Sequence, residues 1–141
     1  RLLGVTVSAA TQARALLRVK LVPMPAGLVR CELAFADPHG LASDDGVRTF
    51  LPRSREGIGR VLDGLRGRAL LYPDDAERRV VVDEVGDVLM RLAAFVHAFR
   101  EHVREVEISP LAVLVGGEVE VREACVVVGD AFERSMLREL G

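Results

Sequence analysis

The sequence has no tryptophan, one tyrosine, one lysine and two cysteines among its 141 residues. With aromatic residues at 4% and a net charge of −2, it lacks the means to neutralise a phosphate backbone or to stack bases, so nucleic acid is not an expected partner. No apolar run approaches the ~20 residues that a membrane-spanning helix needs, and residues 1–17 lack the uninterrupted apolar core of a secretory signal. The expectation is a soluble, cytoplasmic protein without membrane partners. Cys31 and Cys125 show neither a C-x-x-C nor a zinc-ligand spacing and read as buried, reduced thiols. Lys20 is the sole candidate for a Schiff base or a lysine-anchored phosphate, and a charged position on an alternating strand accounts for it. Phosphate-loop, dinucleotide and nucleophile-elbow motifs are all missing.

What is present is core-forming material. Half of the residues are hydrophobic and 28% are charged, which suits one packed domain spanning residues 1–141. His97 and His102 are five apart on an expected helix and point to different faces, which argues against a metal site built on that pair. Asp37, His39, Asp44 and Asp45 cluster in a glycine-containing stretch, read as a solvated loop with a divalent-ion site as the alternative.

Residues 15–22 alternate apolar and charged side chains, Pro23 and Pro25 stop the run, and residues 28–36 alternate again, which predicts an antiparallel hairpin. A loop over 37–46 and a short strand over 47–51 follow. Ser54 is the expected N-cap of a helix over 55–65, and a second helix over 75–101 carries an apolar stripe that includes Val81, Val85, Leu89, Phe95, Val96 and Phe99. Residues 103–108 return to a period of two, Ser109-Pro110 interrupts them, and 111–115 turns at Gly116-Gly117 into a strand over 118–128. A short helix is expected over 130–140. This order predicts an α+β fold: one mostly antiparallel sheet with two helices packed on one face.

Three motifs in this order carry a resemblance: Leu62-Asp63-Gly64-Leu65-Arg66-Gly67, Tyr72-Pro73-Asp74-Asp75, and, after the long helix, Glu105-Val106-Glu107-Ile108-Ser109-Pro110-Leu111. Over residues 15–128 the chain resembles the C-terminal subdomain of the ATP-grasp domain of NDP-forming acyl-CoA synthetases, relatives of the succinyl-CoA synthetase β chain. The resemblance implies a part in ATP- and Mg-dependent acyl-CoA thioester chemistry. It assigns Glu107, Ser109 and Glu123 as magnesium ligands and sets Arg66 beside the nucleotide cleft. Glu107 and Ser109 stand where the family pattern has aspartate and asparagine, and the glycine-rich run between the first strands has no counterpart. The implied partners are the nucleotide-binding half of the ATP-grasp domain, or a CoA-binding domain or subunit. Because the chain starts at Arg1 rather than at methionine, the missing half is expected upstream in a longer polypeptide, and the isolated chain is expected to be inactive. The alternative is a degenerate, non-catalytic interaction or regulatory domain that pairs as a homodimer through the edge of the 111–128 hairpin.

Overall fold

Alternating side chains build most of this molecule, and the helices cover one side of what they build. The computed structural model describes residues 2–6, 12–37 and 42–129. Its strands are β1 (Leu2–Thr6), β2 (Ala13–Pro23), β3 (Val29–Ala36), β4 (Ala42–Leu51), β5 (Val103–Leu114), β6 (Val119–Val121) and β7 (Glu123–Val128). The helices α1 (Arg55–Asp63) and α2 (Asp75–Ala98) lie between β4 and β5. All strand pairs are antiparallel, in the order β1-β7-β5-β2-β3-β4, with β6 on β5. The expected α+β class is observed.

Leu17, Val19 and Leu21 of β2, Val29, Cys31 and Leu33 of β3, and Val106 and Ile108 of β5 are all but sealed from solvent. They meet Ile58 and Leu62 of α1 and Val81, Val85, Leu89 and Val96 of α2 in one cluster. Fully burying a side chain of this kind contributes roughly 1.5–3 kcal/mol, so this layer is the main stabilising element.

The Ser54 hydroxyl accepts the Gly57 N–H at 3.1 Å, as the expected N-cap should. Asp74 caps α2 in the same way, accepting the Glu77 N–H at 2.8 Å. Two glycines inside α1 have a packing reason. A Cβ at Gly57 would lie 2.8 Å from Arg53 Nε and one at Gly59 would lie 2.7 Å from Arg78 Nη2, so both leave room for guanidinium groups. At the β5–β6 turn, Gly116 and Gly117 both have φ of +97°, and a Cβ on Gly117 would lie 2.9 Å from Val80 of α2.

Several expectations need correcting. β1 was missed, and β5 runs unbroken through Ser109-Pro110. The register jumps from Leu17↔Leu111 to Val19↔Ile108, so Ser109 and Pro110 together face Arg18 in a bulge. The bulge absorbs a proline that has no N–H to give the ladder, while the Pro110 carbonyl accepts the Arg122 N–H at 3.1 Å. The strand expected over 118–128 is two strands, parted at Arg122. β4 starts at Ala42, which places Asp44 and Asp45 on a strand rather than in a loop. His39 and the expected helix over 130–140 lie outside the described residues. Cys31 is buried as expected, but Cys125 is only half-buried. Phe95 and Phe99 are 38% and 46% exposed, so both leave the expected core stripe. The 123–127 stretch is paired to β1 and is no open edge for a homodimer.

Candidate functional site

The side chains that alternate with the core point to the sheet face the helices leave bare, and there the charges gather. Arg18 and Lys20 of β2, Arg30 and Glu32 of β3, and Glu107 of β5 alternate with buried positions, while register sets Arg48 of β4 opposite Glu32 and Cys125 of β7 opposite Glu107, with Glu105 and Glu123 two residues along on the same face. Lys20 lies opposite both Glu32 and Glu107 in register. Its ammonium is 2.9 Å from Glu105, and Arg48 is 2.7 Å from Glu32. Arg18 Nε pairs with the Glu107 carboxylate. A cleft of about 130 Å³ opens beside these groups, lined by Arg18, Lys20, Glu32 and Ala34.

Three of the four residues singled out from the sequence share this face. Glu107 is opposite Cys125, and the register on either side, Ile108↔Ala124 and Leu111↔Val121, sets Ser109 against Glu123. Glu107 and Glu123 are therefore diagonal neighbours, about 7–8 Å apart at the backbone. Among the described residues, however, no three His, Cys, Asp or Glu side chains come together as a metal-holding group. Mg²⁺ requires a near-octahedral oxygen shell at ~2.0–2.1 Å. One carboxylate already carrying a guanidinium, one hydroxyl and one further carboxylate do not fit that ion as they stand.

Arg66 is not part of this group. It lies in the turn after α1, 73% exposed, with its guanidinium 3.3 Å from Asp44. Asp45 holds the turn itself, accepting the N–H groups of Arg66 at 2.9 Å and Gly67 at 2.8 Å. Burial opposes ionisation of Asp45, but these two N–H donors and the Arg66 charge together hold its carboxyl below the usual range. A Cβ at Gly67 would lie 3.0 Å from Phe35 and 3.2 Å from Asp45, so glycine permits this close approach. β4 is three strands from β5, about 14 Å at the usual strand spacing. Asp44 and Asp45 thus hold the turn after α1.

Sequence reasoning missed the tightest polar cluster. Asp63, at the end of α1, accepts the Tyr72 hydroxyl at 2.5 Å and both Arg78 Nε at 3.1 Å and Nη2 at 2.7 Å. The Arg78 bonds, helped by Tyr72, hold the Asp63 carboxyl below its usual range against the effect of burial. Burial and the Asp63 contact push the Tyr72 hydroxyl up. The signal was there in two motifs nine residues apart, but nothing in either names Arg78 as the partner. This cluster ties α1, the following turn and α2 together. A larger cleft of about 650 Å³ between the two helices is lined by side chains that include Arg55, Arg60, Arg79, Glu56 and Asp83. Arg55 pairs with Asp83 at 2.9 Å and Arg60 with Glu56 at 3.0 Å, so much of its charge is internally matched.

No protein-family model matches the sequence, and comparison with curated proteins gives no match. Solved structures do match in fold. PH1788 from Pyrococcus horikoshii OT3 superposes with a TM-score of 0.65 at 10% identity, over 84% of this chain and 50% of that one. Apo dinucleotide forming acetyl-coenzyme A synthetase 1 from Candidatus Korarchaeum cryptofilum gives 0.65 at 15% identity, over 86% of this chain and 57% of that one. The same enzyme in complex with coenzyme A and Mg-AMPPCP, its phosphohistidine segment pointing towards the nucleotide binding site, gives 0.64 at 16%, over 82% and 53%. The chain spans about half the length of these solved chains. At such identities the likeness is one of fold: the α+β arrangement, a mostly antiparallel sheet with two helices on one face, is shared with a part of these larger solved chains.

Proposed function

We propose that this chain forms a single domain, the C-terminal half of a two-part nucleotide clamp in an ATP-dependent, acyl-CoA-forming ligase. Its partner is the nucleotide-anchoring half, or a CoA-binding domain or subunit, carried by the same or another polypeptide. The observation that supports this most is the sheet face that, among the described residues, neither helix covers. Both helices pack on the opposite side, and the uncovered side places Arg18 and Lys20 beside the row of Glu107, Ser109 and Glu123. Guanidinium and ammonium groups fixed on a rigid sheet suit the phosphates of ATP, because charge-assisted hydrogen bonds are roughly twice as strong as neutral ones. Neutralising a phosphoryl group in transfer is chiefly a matter of position and charge, which half a clamp supplies only when the other half closes over it. The solved relative bound to coenzyme A and Mg-AMPPCP supports the same reading.

A second reading, a non-catalytic interaction or regulatory domain, is favoured by the pairing of Arg18 with Glu107 and Lys20 with Glu105, which satisfies the face internally. Calorimetric titration of the full-length protein with ATP, with and without Mg²⁺, separates the two. The ligase reading expects binding that weakens on Lys20→Met. No binding under either condition would leave only the non-catalytic reading.

A further inference from the structure

Glu107, the first acid of the row, carries the Arg18 guanidinium, although Ser109 and Glu123 face each other one step along the strands. A divalent cation that approaches Glu107 must therefore displace a tethered positive charge or stay near it, and both weaken its binding. Lys20 reinforces the effect: it lies opposite Glu107 in register while its ammonium contacts Glu105. Of the three row residues, only Glu123 presents a carboxylate with no nearby cation among the described ion pairs, and a single exposed carboxylate does not hold a divalent ion.

We infer that Arg18 acts as a built-in counter-cation that closes Glu107 to divalent metal, so that this face meets phosphate with its own Arg18 and Lys20 in place of a resident ion. The inference rests on the clamp reading for its ligand, but its central element, exclusion of metal by Arg18, is independent of any nucleotide. Ala34, directly across from Arg18 in register, is small and leaves the 130 Å³ cleft that the Arg18 side chain lines.

Titration of the full-length protein with Mn²⁺ alone, followed by the electron paramagnetic resonance of the free ion, tests this directly. Arg18→Gln is expected to bind Mn²⁺ at least tenfold more tightly than the wild type, and the double variant Arg18→Gln/Glu107→Gln to lose that gain. Within the wild-type background, Glu107→Gln is expected to change Mn²⁺ affinity less than twofold, a comparison that holds even if Arg18→Gln folds poorly. Equal affinity of wild type and Arg18→Gln overturns the inference. So does a wild-type affinity that falls tenfold on Glu107→Gln, which would make Glu107 a working metal ligand. Neither of those results touches the clamp reading, which fails separately if ATP does not bind.

Discussion

Replacing Asp63 with alanine removes the acceptor shared by Tyr72 and Arg78, and the structure sets the size of the loss. The Tyr72 side chain is 8% exposed, and its hydroxyl donates to a charged carboxylate at 2.5 Å. Hydrogen bonds to charged groups contribute about 1.5–3 kcal/mol, and the lower end applies because the carboxylate is partly open to water. The Arg78 pair is 34% and 40% exposed, so solvent screening holds its share to about 0.5 kcal/mol. Together these give about 2 kcal/mol for Asp63→Ala at pH 7, or a fall in melting temperature of about 6–8 °C for a chain of this size. Asp63→Asn keeps an acceptor for Tyr72 and should cost about half as much. Because the folded pKa of Asp63 is lowered, its contribution is complete above the unfolded carboxylate value of ~3.9 and is lost as pH falls through the folded value. Urea unfolding of wild type and Asp63→Ala from pH 7 down to pH 3 should thus show a gap that is constant to about pH 5 and narrows below it. An Asp63→Ala variant as stable as wild type at pH 7, or a gap that widens in acid, would refute the reasoning.

Two further outcomes follow from the packing. Gly117→Ala should destabilise by about 2 kcal/mol in thermal melts, because it combines a φ of +97° with a Cβ 2.9 Å from Val80; a neutral substitution would mean that the turn relaxes away from α2. Burial and the neighbouring Glu32 charge push the Cys31 thiol up to about 12, so its labelling by a disulfide reagent at pH 8 should proceed only at the rate of opening and accelerate in urea, while rapid labelling in native buffer would contradict the burial.

Much of the fold was legible because its periods are clean. Leu17, Val19 and Leu21 against Arg18 and Lys20 set both the strand and its two faces, and Ser54 marked the start of α1 as its hydroxyl later does. Where tertiary contacts override local preference, the pattern misleads. Asp44, Asp45 and Gly46 read as loop on composition, but they lie in β4, where the Asp45 carboxylate also accepts two N–H groups from the turn after α1. Pro110 read as a break because a proline interrupts a ladder, and it sits instead in a bulge that needs no N–H from it. Phe95 and Phe99 fit the apolar stripe by spacing but lie near the end of α2 and remain half exposed. For the candidate site, parity along β5 was enough to bring Glu107 and Ser109 to one face, and hairpin register added Glu123. The Arg18–Glu107 pair was not legible, since it depends on which of two non-adjacent strands flanks β5 and on where the bulge falls.

On the proposed function, the sheet face opposite the helices is the one that meets nucleotide. Amide chemical-shift mapping of the ¹⁵N-labelled full-length protein during titration with ATP tests it most directly. Shifts concentrated at Arg18, Lys20, Glu107, Glu123 and Cys125, with Arg55, Arg60 and Arg79 in the helix cleft unmoved, are the expected result. Shifts confined to the cleft between α1 and α2, with the β2–β5 strands unchanged, would contradict it.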